Sequence, residues 1–216
     1  MGATTPNLAL PYPVPADTID IPRDVKALAD KLDTYRAISG PALVTSLPGS
    51  PVDGQEIYYQ SSAMATDGVV WHLRYRTTSS STYKWEFIGG APLRAVAEAD
   101  TSVSSTSAWT DPGTPGPDIV VPLMGDYDAE AQSNGYSNGV ACTIALGITS
   151  PGGTPASPSE TYVPAALVRE QQMAHERLTN LAAGATLRLR YWGNGGGGQF
   201  ATFGKRKLRI WPVRVG

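Results

Sequence analysis

The sequence predicts a mainly β protein. It should carry an N-terminal extended arm and a short coiled-coil-like helix, then a small antiparallel β meander and a C-terminal β-sandwich or jelly roll. Three observations carry the prediction. Gly (23) and Pro (18) punctuate the 216 residues too often for long helices. Aromatic and β-branched residues gather in short runs bounded by turn dipeptides such as Asp53-Gly54 and Asp67-Gly68. One segment alone has convincing helical apolar spacing. The predicted divisions are 1–20, 21–40, 41–94 and 95–216.

Residues 1–20 read as the arm. Pro6, Pro11, Pro13 and Pro15 block helix and favour extended backbone. Leu8, Leu10, Tyr12 and Val14 between them are apolar, unlike a solvated tail, and call for a surface to lie on. The helix is expected from about Pro22 to Tyr35. Proline suits its first turn, Asp20 and Asp24 suit its positive end, and Gly40-Pro41 stops it. Ile21, Val25, Leu28, Leu32 and Tyr35 are spaced four, three, four, three. That spacing fits a two-heptad coiled-coil seam, or a short amphipathic helix packed on its own domain.

The meander should use Glu56–Gln60, Val69–Thr77 and Tyr83–Ile88. Three strands need a cover, either a helix or a neighbouring copy. The last region should contain strands at 118–124, 127–133, 140–148, 161–167, 186–192, 199–203 and 207–215. In the third of these Val140, Cys142, Ile144, Leu146 and Ile148 form a core face. Ala141, Thr143, Ala145 and Gly147 form a flat one, open to another sheet or copy. Arg169–Leu181 fits a short helix or a strand pair.

Composition narrows the function. A formal charge of −2 is no general nucleic-acid binder, although nine of the seventeen Lys and Arg follow residue 168. One cysteine and two histidines allow no intrachain disulfide and no Cys/His zinc cluster. There is no membrane-spanning apolar run and no secretory leader, so synthesis in a reducing cytoplasm is expected.

Motifs for chemistry are thin. Gly193–Gly198 contains G-x-G-x-x-G, but strand-like residues follow it where a dinucleotide site needs a helix. Asp126, Asp128 and Glu130 share one strand face without the spacing of a calcium loop. His72 and His175 have no triad pattern, and Cys142 lies on an apolar face. Lys205-Arg206-Lys207 fits an anion contact or a charged hairpin shoulder. The residues therefore point to a binding or structural protein with no enzyme activity, catalytic residue, metal or cofactor.

The stretches PNLALPYPVPADTIDIPRDVKALADKLD (6–33), LPGSPVDGQEIYYQ (47–60) and GVVWHLRYR…YKWEFIGGAPL (68–93) resemble the start of minor tail, tail-fibre-like or appendage proteins in the virions of tailed phages of actinobacteria. The last domain resembles the trimeric jelly rolls of the tumour-necrosis-factor and C1q type, on its patterning and the closing LRIWPVRV strand. The first resemblance implies a virion protein, with attachment first and the outward head last. A trimeric receptor-binding appendage, a capsid-attached head fibre or decoration protein, and a cell-wall glycan depolymerase are its possible forms, in that order. It implies virion attachment through Leu8, Leu10, Pro11, Tyr12, Pro13 and Val14. It implies a homotrimer through Ile21, Val25, Leu28, Leu32 and Tyr35. Tyr136, Asn138, Tyr191, Trp192 and Asn194 are the candidates for contact with a host-surface glycan. Their aromatic rings suit sugar stacking, and loops carry binding on such scaffolds. Nucleic acid and membrane insertion are not expected among its partners.

Overall fold

The computed structural model describes residues 3–4, 11–12, 25–30, 41–104, 106–111, 114–137, 139, 141–150, 153–164, 168–194 and 200–216. Two compact units emerge, Met1–Ala42 and Leu43–Gly216. In the first, β1 (Ala3–Thr4) pairs antiparallel with β2 (Pro11–Tyr12), Ala3 opposite Tyr12. Helix α1 covers 25–30, where Val25 is exposed, Leu28 is half-buried, and Lys26 and Asp30 pair one turn apart at 2.6 Å. Leu8, Leu10, Pro13 and Val14 of the arm, and Ile21, Leu32 and Tyr35 of the seam, lie outside the described residues.

Strands make up nearly all the regular structure described in the second unit. From its boundary onward come, in chain order, β3 (Ala42–Val44), β4 (Glu56–Tyr59), the short helix α2 (Ser62–Thr66), β5 (Trp71–Tyr75), β6 (Trp85–Gly90), β7 (Leu93–Ala97) and β8 (Thr101–Ser104). There follow β9 (Thr106–Thr110), β10 (Asp118–Val120), β11 (Gly125–Ser137), β12 (Cys142–Thr149), β13 (Ser159–Val163), β14 (Glu170–Leu181), β15 (Thr186–Asn194) and β16 (Phe200–Val215).

The pairing is nested. β7 and β8 pair with β16, and β9 and β10 pair with β15. Inside these, β11 pairs with β14 and β12 with β13. First with last, second with second-last, and so inward is the jelly-roll arrangement. It yields a nine-stranded and a five-stranded sheet. β11 shows why they pack: its thirteen residues alternate buried and half-buried throughout. Tyr127, Ala129 and Ala131 point into the core, as Ile144, Leu146 and Ile148 do from β12. A Cβ added to Gly135 would lie 2.2 Å from Ile144 Cδ1, so the two sheets meet closely there. Cys142 is buried in this core.

Several expectations are corrected. Residues 41–94 are not a separate domain. β16 is long enough to pair with β8, β7 and finally β6, so the meander β3–β6 continues the larger sheet. Three strands are too few to stand alone; in place of the covering helix or neighbouring copy expected, the chain's own last strand extends them at the edge, and Tyr127 packs on Trp71. Trp71 is fully buried, with ring centres of Tyr59, Phe87 and Tyr127 at 6.2, 6.5 and 6.1 Å. On the outer face a row of alternating charge crosses five strands in register: Asp126, Arg214, Glu86, Arg74 and Glu56. Segment 169–181 contains neither a helix nor a hairpin but one strand, β14. The two last expected strands are one, bent by a bulge where Lys205 takes φ 49° and the register against β11 shifts. The flat face of β12 is met by its own chain, because Gly147 leaves only enough room for Pro155 and Trp109.

Candidate functional site

The alternation of β16 decides the fate of the basic tripeptide. Arg206 falls in phase with Leu208 and Ile210 and points inward, where the side chain is fully buried. Its guanidinium donates to the carbonyls of Ala99, Thr114 and Gly116. Lys205-Arg206-Lys207 is therefore no continuous basic patch, since its central charge serves the core. Tyr191 hydroxyl donates to the same Gly116 carbonyl at 2.9 Å, and burial pushes that phenol well above its usual range.

Tyr191 is consequently removed from the contact surface. It alternates with Arg188, Arg190 and Trp192 along β15, and Leu187, Leu189 and Tyr191 take the inner side. Trp192 is half-buried and Asn194 exposed, while Asn138 lies outside the described residues. Tyr136 is half-buried with the Arg169 guanidinium 4.7 Å above its ring. Tyr136 thus belongs to β11 of the nine-stranded sheet, and Trp192 and Asn194 to β15 of the five-stranded one. The glycine-rich run starts at the end of β15 and is followed by strand β16, so no phosphate-cradling helix follows it.

The three carboxylates on that face of β11 are taken by their neighbours. Asp126 accepts from the Asn180 amide, Asp128 is clamped by Arg177, and Glu130 accepts from Arg209 at 3.1 Å. Among the described residues no cluster of three or more His, Cys, Asp or Glu could hold a metal. His72 is hydrogen-bonded to Glu56 at 2.9 Å.

The outer face of the nine-stranded sheet carries a different constellation. In register across it lie His175, Glu130, Arg209 and Arg94, and one step along lie Arg177, Asp128 and Trp211. The edge of β16 pairs with β7 as far as Ile210 and resumes with β6 at Arg214. At this fork the sheet opens, and a cavity of about 330 Å³ is lined by Phe87, Gly90, Pro92, Glu130, Arg209 and Trp211. Its wall is fixed. Gly90 takes φ 124°, and a Cβ there would lie 2.3 Å from the Val70 carbonyl, so only glycine fits. The Trp71 indole N–H donates to the Ala91 carbonyl at 3.1 Å. The His175 ring stands 6.2 Å from that of Trp211. Sequence reasoning missed Trp211 and Phe87 because their meeting depends on where β16 changes partner. The alternation in LRIWPVRV was the one available signal, since it puts Trp211 opposite Ile210.

No protein-family model matches the chain, and no curated protein does. Among solved structures, Eiger TNF from S. frugiperda is similar at 14% identity and a TM-score of 0.39, over 58% of this chain and 95% of that one. The infectious bursal disease virus VP2 subviral particle is similar at 10% identity and a TM-score of 0.38, over 76% of this chain and 40% of that one. The globular domain of zebrafish complement 1qA gives 12% identity and a TM-score of 0.28, over 54% of this chain and 98% of that one. Likenesses this remote assign neither family nor function. The jelly roll stands on the strand pairing itself. Among the described residues no helix is long and apolar enough to cross a membrane.

Proposed function

We propose that the chain is a virion structural protein of a tailed phage: a homotrimeric appendage that attaches by its N-terminal arm and turns its sandwich towards the host surface, where a glycan is its partner. The observation that carries this is the ordered resemblance of residues 6–93 to the start of phage minor tail and appendage proteins. The division into Met1–Ala42 and Leu43–Gly216 supports it, since attachment and presentation then fall on different units. An apolar, proline-rich arm suits a partner surface. A trimer would multiply weak contacts through avidity. The test is a phage whose copy lacks residues 1–20. Purified particles should lack the protein and adsorb poorly, and label on wild-type particles should sit on the tail. Normal incorporation of the truncated chain would overturn the attachment role. Label on the capsid would replace the tail appendage with a head fibre.

A further inference from the structure

We propose that the cavity at the β6/β7 fork is a subsite for one neutral sugar ring, with Trp211 as its stacking platform. The inference rests on the reading of the chain as a host-contact appendage, but its site lies elsewhere than Tyr136, Trp192 and Asn194. Three features carry it. The first is size: about 330 Å³ is at the low end of ligand pockets, roughly 300–1,000 Å³, and suits a single ring. The second is the pairing of surfaces. Trp211, Phe87 and Pro92 all line the cavity, the two aromatics half-buried, so part of its wall is apolar surface suited to the C–H groups of a pyranose. The third is the polar side. Glu130 and Arg209 meet at 3.1 Å, and both side chains stay partly exposed. Their second carboxylate oxygen and further N–H groups can accept from and donate to vicinal hydroxyls.

Charge selects the class of ligand. The lining carboxylate and guanidinium cancel, so an anion meets Glu130 and a cation meets Arg209. A polyhydroxylated neutral ring loses nothing to either. The site is also preorganised, because Gly90 and the Trp71–Ala91 bond hold the turn that walls it.

The test uses the full-length protein. D-Galactose, D-glucose, N-acetyl-D-glucosamine, L-arabinose and D-glucuronate are each titrated to about 50 mM, because one shallow contact gives weak affinity. Binding is read by tryptophan fluorescence and by saturation transfer to the sugar C–H protons. Saturable binding of at least one neutral sugar is expected. Trp211→Ala should weaken it tenfold or more, Trp211→Phe should weaken it less, and Tyr162→Phe, on β13 of the other sheet, should leave it unchanged. An unchanged melting temperature shows that each variant is folded, and Trp211→Phe keeps the test valid should Trp211→Ala not fold. No neutral sugar bound, glucuronate alone bound, or full binding by folded Trp211→Ala would each overturn the proposal. Host-cell binding separates the two readings. Wild-type protein that binds cells but no sugar defeats the subsite alone, whereas absence of the chain from particles defeats the appendage whatever the sugars do.

Discussion

Replacing Trp71 by alanine asks whether the meander and the jelly roll unfold as one. Trp71 sits on β5, yet it packs on Tyr127 of β11 as well as on Tyr59 and Phe87. Its side chain is fully buried. Truncating a buried Trp costs about 3–5 kcal/mol through lost transfer energy and the cavity left behind. Losing the indole N–H bond to the Ala91 carbonyl adds about 1 kcal/mol. Domains of about 150–250 residues lose roughly 2–4 °C for each kcal/mol. The expected drop in melting temperature is therefore on the order of 10–20 °C. It should appear as one transition in calorimetry. Amides of β12 and β13, which lie in the other sheet, should lose exchange protection together with those of β5. Two transitions, with the later at the wild-type temperature, would refute the reasoning and restore 41–94 as an independent domain.

Other outcomes follow from single contacts. Gly135→Ala should destabilise by about 1–3 kcal/mol, because its Cβ meets Ile144 Cδ1 at 2.2 Å. Ile144→Val removes that atom, so the double variant should cost less than the sum of the single ones in urea melts. Glu176 is buried on β14, and burial raises its carboxyl above the ordinary 4.5, although the amides of Ala156 and Ser157 act against this. The folded state thus holds the proton more tightly than the unfolded one, and this group favours folding most below 4.5 and less as pH rises through its raised pKa. Glu176→Gln should accordingly be more stable than wild type at pH 7, with the advantage shrinking on acidification in paired melts. Leu28→Asp should shift sedimentation from three copies of 22.8 kDa towards one, by placing a charge in the helical seam.

The sequence by itself determined the mainly β class, the inward face of β12, and the burial of Cys142. Period-two alternation in Ile144, Leu146 and Ile148, or in Leu187, Leu189 and Tyr191, needs no knowledge of partners. The same alternation, carried through, would have withdrawn Tyr191 from the contact surface. Pairing and boundaries were decided only in three dimensions. No local pattern says that one edge of β16 serves β8, β7 and β6 in turn, because ladder bonds join residues more than a hundred positions apart, as Leu208 and Ala95 show. The inward turn of Phe203, out of phase with Arg206, Leu208 and Ile210, needed the bulge at Lys205, a backbone event that a basic tripeptide does not announce. The cavity beside Trp211 is a consequence of that partner change. It arises where one strand lets go of its neighbour before taking up the next, and only the assembled sheet contains such a place.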